Sequence, residues 1–408
     1  MNRSQKTKSE KILKLYPWFS GLSEGTLFYT AISTLFLTVV KGLSSSQIAL
    51  VGTIATLSSV LLQKIILSII KKIGNYNSII LGQIILTISV IIVTIGNFYG
   101  IILGSILELI AFTFKNMENI ILKNNLRFLN KSEEYMKYKN KAFLVYSITT
   151  AIIALIASKF FIINHYLPMA FCILFCIITT FMSFYIKDIN ISQDISQSKK
   201  EKTNTNIIIS NKLIVCIIIL FGIIRTCIAL GFNNTQLFIQ YDLQSYFSLT
   251  KTTYYLGIII FASRIVRIIS NISFNSIHHK FRDKLIYLIP TSLLMSFLLL
   301  IFSHIVINNL LLKFIFMGVS YGIILYIIDS FTAVVQDLLL TKSTENKHQS
   351  ILTYLTFSYN LFKTLFGFVV SLILLKYELI YVFIFLILLV LVGILYMKII
   401  YNKIDIKK

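Results

Sequence analysis

Twelve stretches of predominantly apolar residues divide this chain, each about as long as the ~20 residues a helix needs to cross a bilayer core. They run over 16–40, 45–70, 77–97, 100–122, 141–160, 166–186, 212–238, 252–276, 285–306, 310–335, 349–374 and 379–401. Membrane strands would be about ten residues long and alternate apolar with polar, so a barrel is excluded. Only 13% of residues are charged and 56% are hydrophobic, too little polar surface for a soluble domain of 408 residues. The expectation is an all-α integral membrane protein with twelve transmembrane helices in two six-helix halves.

A formal charge of +22 on a soluble chain would suggest nucleic acid. Here the basic residues sit in short turns between apolar runs, so no nucleic-acid partner is expected and the bilayer is the partner. With the N-terminus inside, the cytoplasmic segments hold 27 of the 38 Lys and Arg. The opposite loops hold five, namely Lys41, Lys159, Lys251, Lys313 and Lys376. That asymmetry predicts a multi-pass protein of the cell membrane with both termini cytoplasmic. Arg3, Lys6, Lys8, Lys11 and Lys14 ahead of an apolar stretch look like a signal peptide. The stretch lacks a small-residue cleavage site and continues to Val40, so it reads as an uncleaved first span.

The longest polar stretch, KDINISQDISQSKKEKTNTNIIISNK, falls between the sixth and seventh runs. Its Ser, Asn and Lys content predicts a cytoplasmic linker over 187–211 joining halves at 1–186 and 212–408. Short basic turns recur 208 residues apart, after the second run (Lys71, Lys72, Gly74) and after the eighth (His279, Lys280, Arg282). Six runs on either side of a linker suggest paired repeats.

Residues 41–83, KGLSSSQIALVGTIATLSSVLLQKIILSIIKKIGNYNSIILGQ, carry a family likeness. Gly42, Leu43, Ser44, Gln47 and Ile48 at the entry, with Gly74, Ser78, Leu81 and Gly82 beyond the turn, resemble the bacterial major facilitator superfamily, especially a drug-exporter-like branch. STENKHQSILTYL (343–355) resembles that family's turn into span eleven. The resemblance implies a twelve-helix transporter with spans 1, 4, 7 and 10 lining a central cavity, and a gating turn at Lys71, Lys72 and Gly74. It also implies an Asp latch in that turn, where this chain has Lys71, with Asn75, Tyr76 and Asn77 at family basic positions. Asn124 stands where an acid often ends the span-four segment, and the family's Arg motif there is absent. Altered gating and a decayed transporter both fit these departures.

Ionisable side chains inside a bilayer cost about 2.5–3.5 kcal/mol each on insertion scales, so each one implies a polar path or a pair. The chain has Glu24, Lys64, Glu108, Lys115, Glu118, Arg225, Arg264, Arg267, Asp329, Asp337 and Lys363 within its runs. Helical stripes join Arg225, Ala229, Asn233, Gln236 and Gln240, then Leu325, Asp329, Thr332 and Gln336. Gly257, Arg264, Arg267 and Asn271 share a face, as do Asn360, Lys363, Thr364 and Gly367. Lys64, Glu118 and Asp337 lie near run ends, where snorkelling is the plainer expectation. Arg225 and Arg264 lie too deep for that, leaving a path or a structural pair with Asp329 or Glu24.

The excess of cations over anions predicts a small solute bearing a carboxylate or phosphate. Arg225, Arg264, Lys363, Lys115, Asn233 and Gln236 are the candidate solute ligands, and Glu24, Glu108 and Asp329 the candidate proton carriers. Cys172 and Cys176 are one turn apart without His or carboxylate neighbours, so packing is expected rather than a metal. No Gly-rich loop followed by Lys-Ser/Thr is present, so no ATP hydrolysis, no enzymatic activity and no cofactor are expected. The leading expectation is a monomeric, proton-coupled exporter working by alternating access. A receptor or assembly protein on a degenerate transporter scaffold is the alternative, and a lipid-linked-sugar flippase of another fold a third.

Overall fold

The computed structural model describes residues 3–186, 212–281, 284–341 and 348–405, and they are almost wholly helical. The linker expected over 187–211 lies outside the described residues, as does much of the 343–355 turn. In chain order the helices are α1 (Arg3–Ser23), α2 (Leu27–Leu35), a π-turn (Phe36–Val40), α3 (Ser45–Ile95), α4 (Phe98–Lys115), α5 (Glu118–Phe128), α6 (Tyr135–Ile163) and α7 (Leu167–Ser183). After the linker come α8 (Lys212–Gln244), α9 (Leu249–Phe281), α10 (Leu285–Ile305), α11 (Leu310–Thr341), α12 (His348–Lys376) and α13 (Leu379–Asp405).

Among the described residues, ten helical segments are long and apolar enough to cross a membrane, not the twelve expected. Two features account for the difference. The second and third runs form one helical stretch, Ser45–Ile95, bent at Gly74, and the sixth run gives a short helix, Leu167–Ser183. Gly74 has φ 79° and ψ 167°, a region open only to glycine. Beyond the bend, Ser78 Oγ donates to the Gly74 carbonyl at 2.7 Å and Asn77 Nδ2 to that of Ile73 at 2.9 Å.

The described contacts divide the chain into two compact units, Met1–Leu43 with Ile54–Lys202, and Ser44–Thr53 with Thr203–Lys408. In the first unit Phe28 packs among Phe160, Phe171 and Phe175, with ring centroids 5.5–6.3 Å away. Lys41 Nζ donates to the Thr94 and Gly96 carbonyls at 2.7 and 2.9 Å, a cation on the C-terminal end of α3. Desolvation lowers its pKa below the usual lysine range. In the second unit α10 and α11 approach closely enough for Ser296 and Ser320 each to donate to the other's carbonyl at 2.9 Å. Small side chains of this kind let membrane helices meet backbone to backbone.

Gly82 performs that service between α3 and α4. A Cβ there would stand 2.8 Å from the Ala111 carbonyl oxygen and 3.0 Å from the Lys115 amide nitrogen. Gly82→Val should therefore push α4 away at the residue that carries Lys115. The expected cost is about 1–3 kcal/mol of overpacking, read as a lower apparent melting temperature in detergent. An unchanged melting temperature would mean that α4 yields freely.

Candidate functional site

The first unit contains a polar seam. Ser9, Tyr16 and Ser20 lie on one stripe of α1, Glu24 follows just past its end, and the four meet the α4–α5 segment in reverse order. Ser9 Oγ donates to Asn125 Oδ1 at 3.1 Å, and the Tyr16 hydroxyl to Asn119 Oδ1 at 3.3 Å. Ser20 Oγ donates to Glu118 Oε1 at 2.6 Å, and Lys115 Nζ to Glu24 Oε2 at 3.4 Å. Lys115 Nζ is also 3.6 Å from Glu118 Oε2.

Both partner helices are interrupted at this level. Residues 24–26 separate α1 from α2, and an Asn116–Met117 turn separates α4 from α5. Met117 N bonds to the Phe114 carbonyl and Asn119 N to that of Asn116, tightening the turn to i→i+3 spacing. The charged residues stand at the interruptions. Lys115 and Glu118 are nearly sealed, with 5% and 3% of their side chains exposed, whereas Glu24 is 38% exposed. Two turns along α4 from Lys115, Glu108 accepts from Thr26 Oγ1 at 3.1 Å.

Glu118 thus departs from the sequence expectation. Instead of snorkelling, it is buried against Ser20 and Lys115, because α5 turns it inward at its first residue. Lys64 is exposed, and the side chain of Asp337 lies outside those described.

The second unit holds the other cluster. Asp329 on α11 receives a bidentate pair from Arg267 on α9, Nε to Oδ2 and Nη2 to Oδ1, both at 2.8 Å. Arg267, rather than Arg225 or Arg264, is therefore the ion-pair partner. Arg225 on α8 donates from Nη1 to the Ile328 carbonyl at 2.9 Å and lies over the Tyr359 ring, centroid 5.7 Å away. Lys363, one turn beyond Tyr359 on α12, is 5.6 Å from the same ring. Arg264 is 2% exposed, with its guanidinium 5.6 Å from the Phe232 ring, itself stacked on Tyr321. Its Nε and Nη1 hydrogens have no acceptor. Arg225 and Arg264 both act electrostatically on Asp329.

The structure so gathers Arg225, Arg264, Lys363 and Asp329, adding Arg267, and joins Lys115 to Glu24 in the other unit. On the α8 stripe Asn233 is exposed and Gln236 buried. Lys71 and Lys72 are exposed just before the Gly74 bend.

A third cluster escaped the sequence reading. Asp242 Oδ1, near the end of α8, is 3.0 Å from Lys313 Nζ at the start of α11 and 3.0 Å from His304 Nδ1 at the end of α10. Lys313 had been expected in a loop. It is instead buried in the first turn of α11.

Apolar helices of this length with buried charge clusters define a multi-pass membrane protein. No protein-family model matches the chain, and no curated protein matches it. Among solved structures it is similar to the nucleoside transporter NupG in a mutant form, with a TM-score of 0.74 at 11% identity over 97% of this chain and 100% of that one. A second NupG structure gives a TM-score of 0.67 at 12% identity, over 98% and 99%. At such identity the likeness is one of fold alone.

Proposed function

We propose that the chain is a secondary active transporter of major facilitator type, moving a small organic anion by alternating access. Twelve spans in two halves at 1–186 and 212–408, joined by the 187–211 linker, belong to this reading. So do export across the cell membrane, proton coupling, cytoplasmic termini and action as a monomer. The drug-exporter-like turn at Lys71, Lys72 and Gly74 is its gate.

Arg264 carries the proposal. A buried guanidinium with two hydrogens lacking acceptors is costly unless a ligand supplies them. Arg225, Arg264, Arg267 and Lys363 against Asp329 leave the second unit's cluster strongly cationic, which favours a carboxylate or phosphate there. Phe232 and Tyr359 offer ring faces beside the cations. Asn233 and Gln236 complete the solute contacts on α8. Lys115, held between two carboxylates, serves the coupling proton rather than the solute, with Glu24, Glu108 and Asp329 as candidate carriers. The transporter fold of the solved relatives supports transport over a receptor or assembly role.

The test is flux into proteoliposomes under an imposed pH gradient, using a panel of labelled organic carboxylates and phosphates beside uridine as a neutral probe. Arg264→Gln should reduce anion flux about 10- to 100-fold, the worth of a hydrogen bond to a charged group, with a change at the exposed Lys159, Lys159→Gln, as the folded control. Anion flux undiminished in Arg264→Gln, or uridine as the sole transported probe, would reject the assignment.

A further inference from the structure

We infer that the solute is an organic dianion with an acidic group at each end, held by Arg264 at one end of the second unit's cluster and by Arg225 with Lys363 at the other. The inference rests on the anion-transport reading and narrows its substrate class. A solute with one acidic group would leave one cationic end without a partner.

The spacing of the cations is the first support. Arg225 and Phe232 are seven residues apart on α8, two turns along one face, or about 10 Å along the axis. Arg264 lies against the Phe232 ring at 5.6 Å. Arg225 bonds the Ile328 carbonyl at 2.9 Å and lies 5.7 Å from the Tyr359 ring, which Lys363 also approaches. The other wall repeats the interval. On α11, Tyr321 stacks on Phe232 with centroids 5.5 Å apart, and Ile328, which meets Arg225, follows seven residues later. Two helices thus set the same two levels about 10 Å apart.

What lies between the levels is the second. A short turn joins α8 to α9, so the two run antiparallel, and Arg267, one turn beyond Arg264, lies toward the Arg225 level. Arg267 binds both oxygens of Asp329 at 2.8 Å, and that pair is neutral as a unit. Among the described side chains, the ion pairs of this unit leave out Arg225, Arg264 and Lys363. The cluster is cationic at both ends and neutral in the middle. Its complement is a molecule with an acid at each end and an uncharged spacer.

Burial gives the third. Arg264 is 2% exposed, and its Nε and Nη1 hydrogens have no acceptor. Arg225 and Lys363 are only half-buried. A monoanion taken at that more open end would leave the buried guanidinium unsatisfied, at continuing cost. A second acid group two turns away supplies the acceptors that Arg264 lacks.

An α,ω-dicarboxylate is the simplest molecule of this form. Its spacer must be long enough to reach from one level to the other, which suberate achieves and succinate does not. Phe232 and Tyr359 present ring surface beside the two cationic ends, which suits a spacer of apolar character.

Binding to the whole purified protein in detergent, followed as the rise in melting temperature with ligand concentration, tests this without flux. The probes run from succinate through adipate and suberate to sebacate, each beside its monomethyl ester as a monoanion of matched length. Suberate should bind at least about 10-fold more tightly than its half-ester and than succinate, the worth of a hydrogen bond to a charged group. Arg264→Gln should bring suberate and its half-ester to nearly equal affinity, as should Arg225→Gln with Lys363→Gln. Lys159→Gln should keep the native ratio. A half-ester or succinate bound as tightly as suberate by the native protein overturns the inference, and so does a native ratio in Arg264→Gln or no binding of any of these acids. Binding with this length preference but without flux in proteoliposomes would reject the transport reading alone. Flux of the half-esters at the rate of the parent acids would reject the two-ended solute alone.

Discussion

Asp329→Ala should lose about 3–5 kcal/mol of stability, the usual cost of leaving a buried charge without its partner. The expected size follows from the local count of charges. Arg267 gives up two 2.8 Å hydrogen bonds, and Arg225 and Arg264 lose an anion whose field they share. A second variant separates charge from shape. Arg267→Met together with Asp329→Leu removes both partners and should recover most of the loss, since apolar replacements of a buried pair are often neutral. Thermal unfolding in detergent measures both. Recovery of stability without recovery of flux would assign the pair to function. A double variant as unstable as Asp329→Ala would instead mean that the α9–α11 packing requires the pair's own shape.

Much of this architecture was legible from period and run length, because a bilayer forces helices of nearly fixed span. The apolar runs at 77–97, 212–238 and 379–401 all fall on helices. Interruptions were not legible. Residues 16–40 and 100–122 read as unbroken runs, since a two- or three-residue break at Glu24 or Asn116 leaves mean hydropathy almost unchanged. Pairing was half legible. Helical stripes brought Arg264 and Arg267 to one face, but which of them would meet Asp329 depends on how far α9 slides along α11. The α1 seam had a usable signal, since Ser9, Leu13, Tyr16, Ser20 and Glu24 follow steps of 4, 3, 4 and 4. Its start lay in a basic segment that read as a tail, so the stripe was cut off. Asp242 lies past the end of the 212–238 run and Lys313 near the start of the 310–335 run, where a charge normally signals the membrane surface, and α8 continues past Asp242 to Gln244.

Reversing Lys313 alone, as Lys313→Asp, should be the most damaging single change at the α8–α10–α11 cluster. Two buried carboxylates would then share a place where Asp242 and Lys313 are each 6% exposed, and a loss beyond about 3–5 kcal/mol is expected. Yet the native charges are set against their own helices. Asp242 lies in the last turn of α8, where the backbone dipole is negative, and Lys313 in the first turn of α11, where it is positive. Each is tolerated only through the other, with His304 as a second donor to the same Asp242 oxygen. The exchanged pair, Asp242→Lys with Lys313→Asp, restores the attraction and puts each charge at the helix end that favours it. About 0.3–1 kcal/mol is gained at each end. The exchanged protein should therefore melt close to the native temperature while Lys313→Asp melts far below it. Equal instability of the two would show that His304 and Tyr246, which packs on Lys313 with its ring centroid 5.1 Å away, hold the native orientation more firmly than the helix ends oppose it.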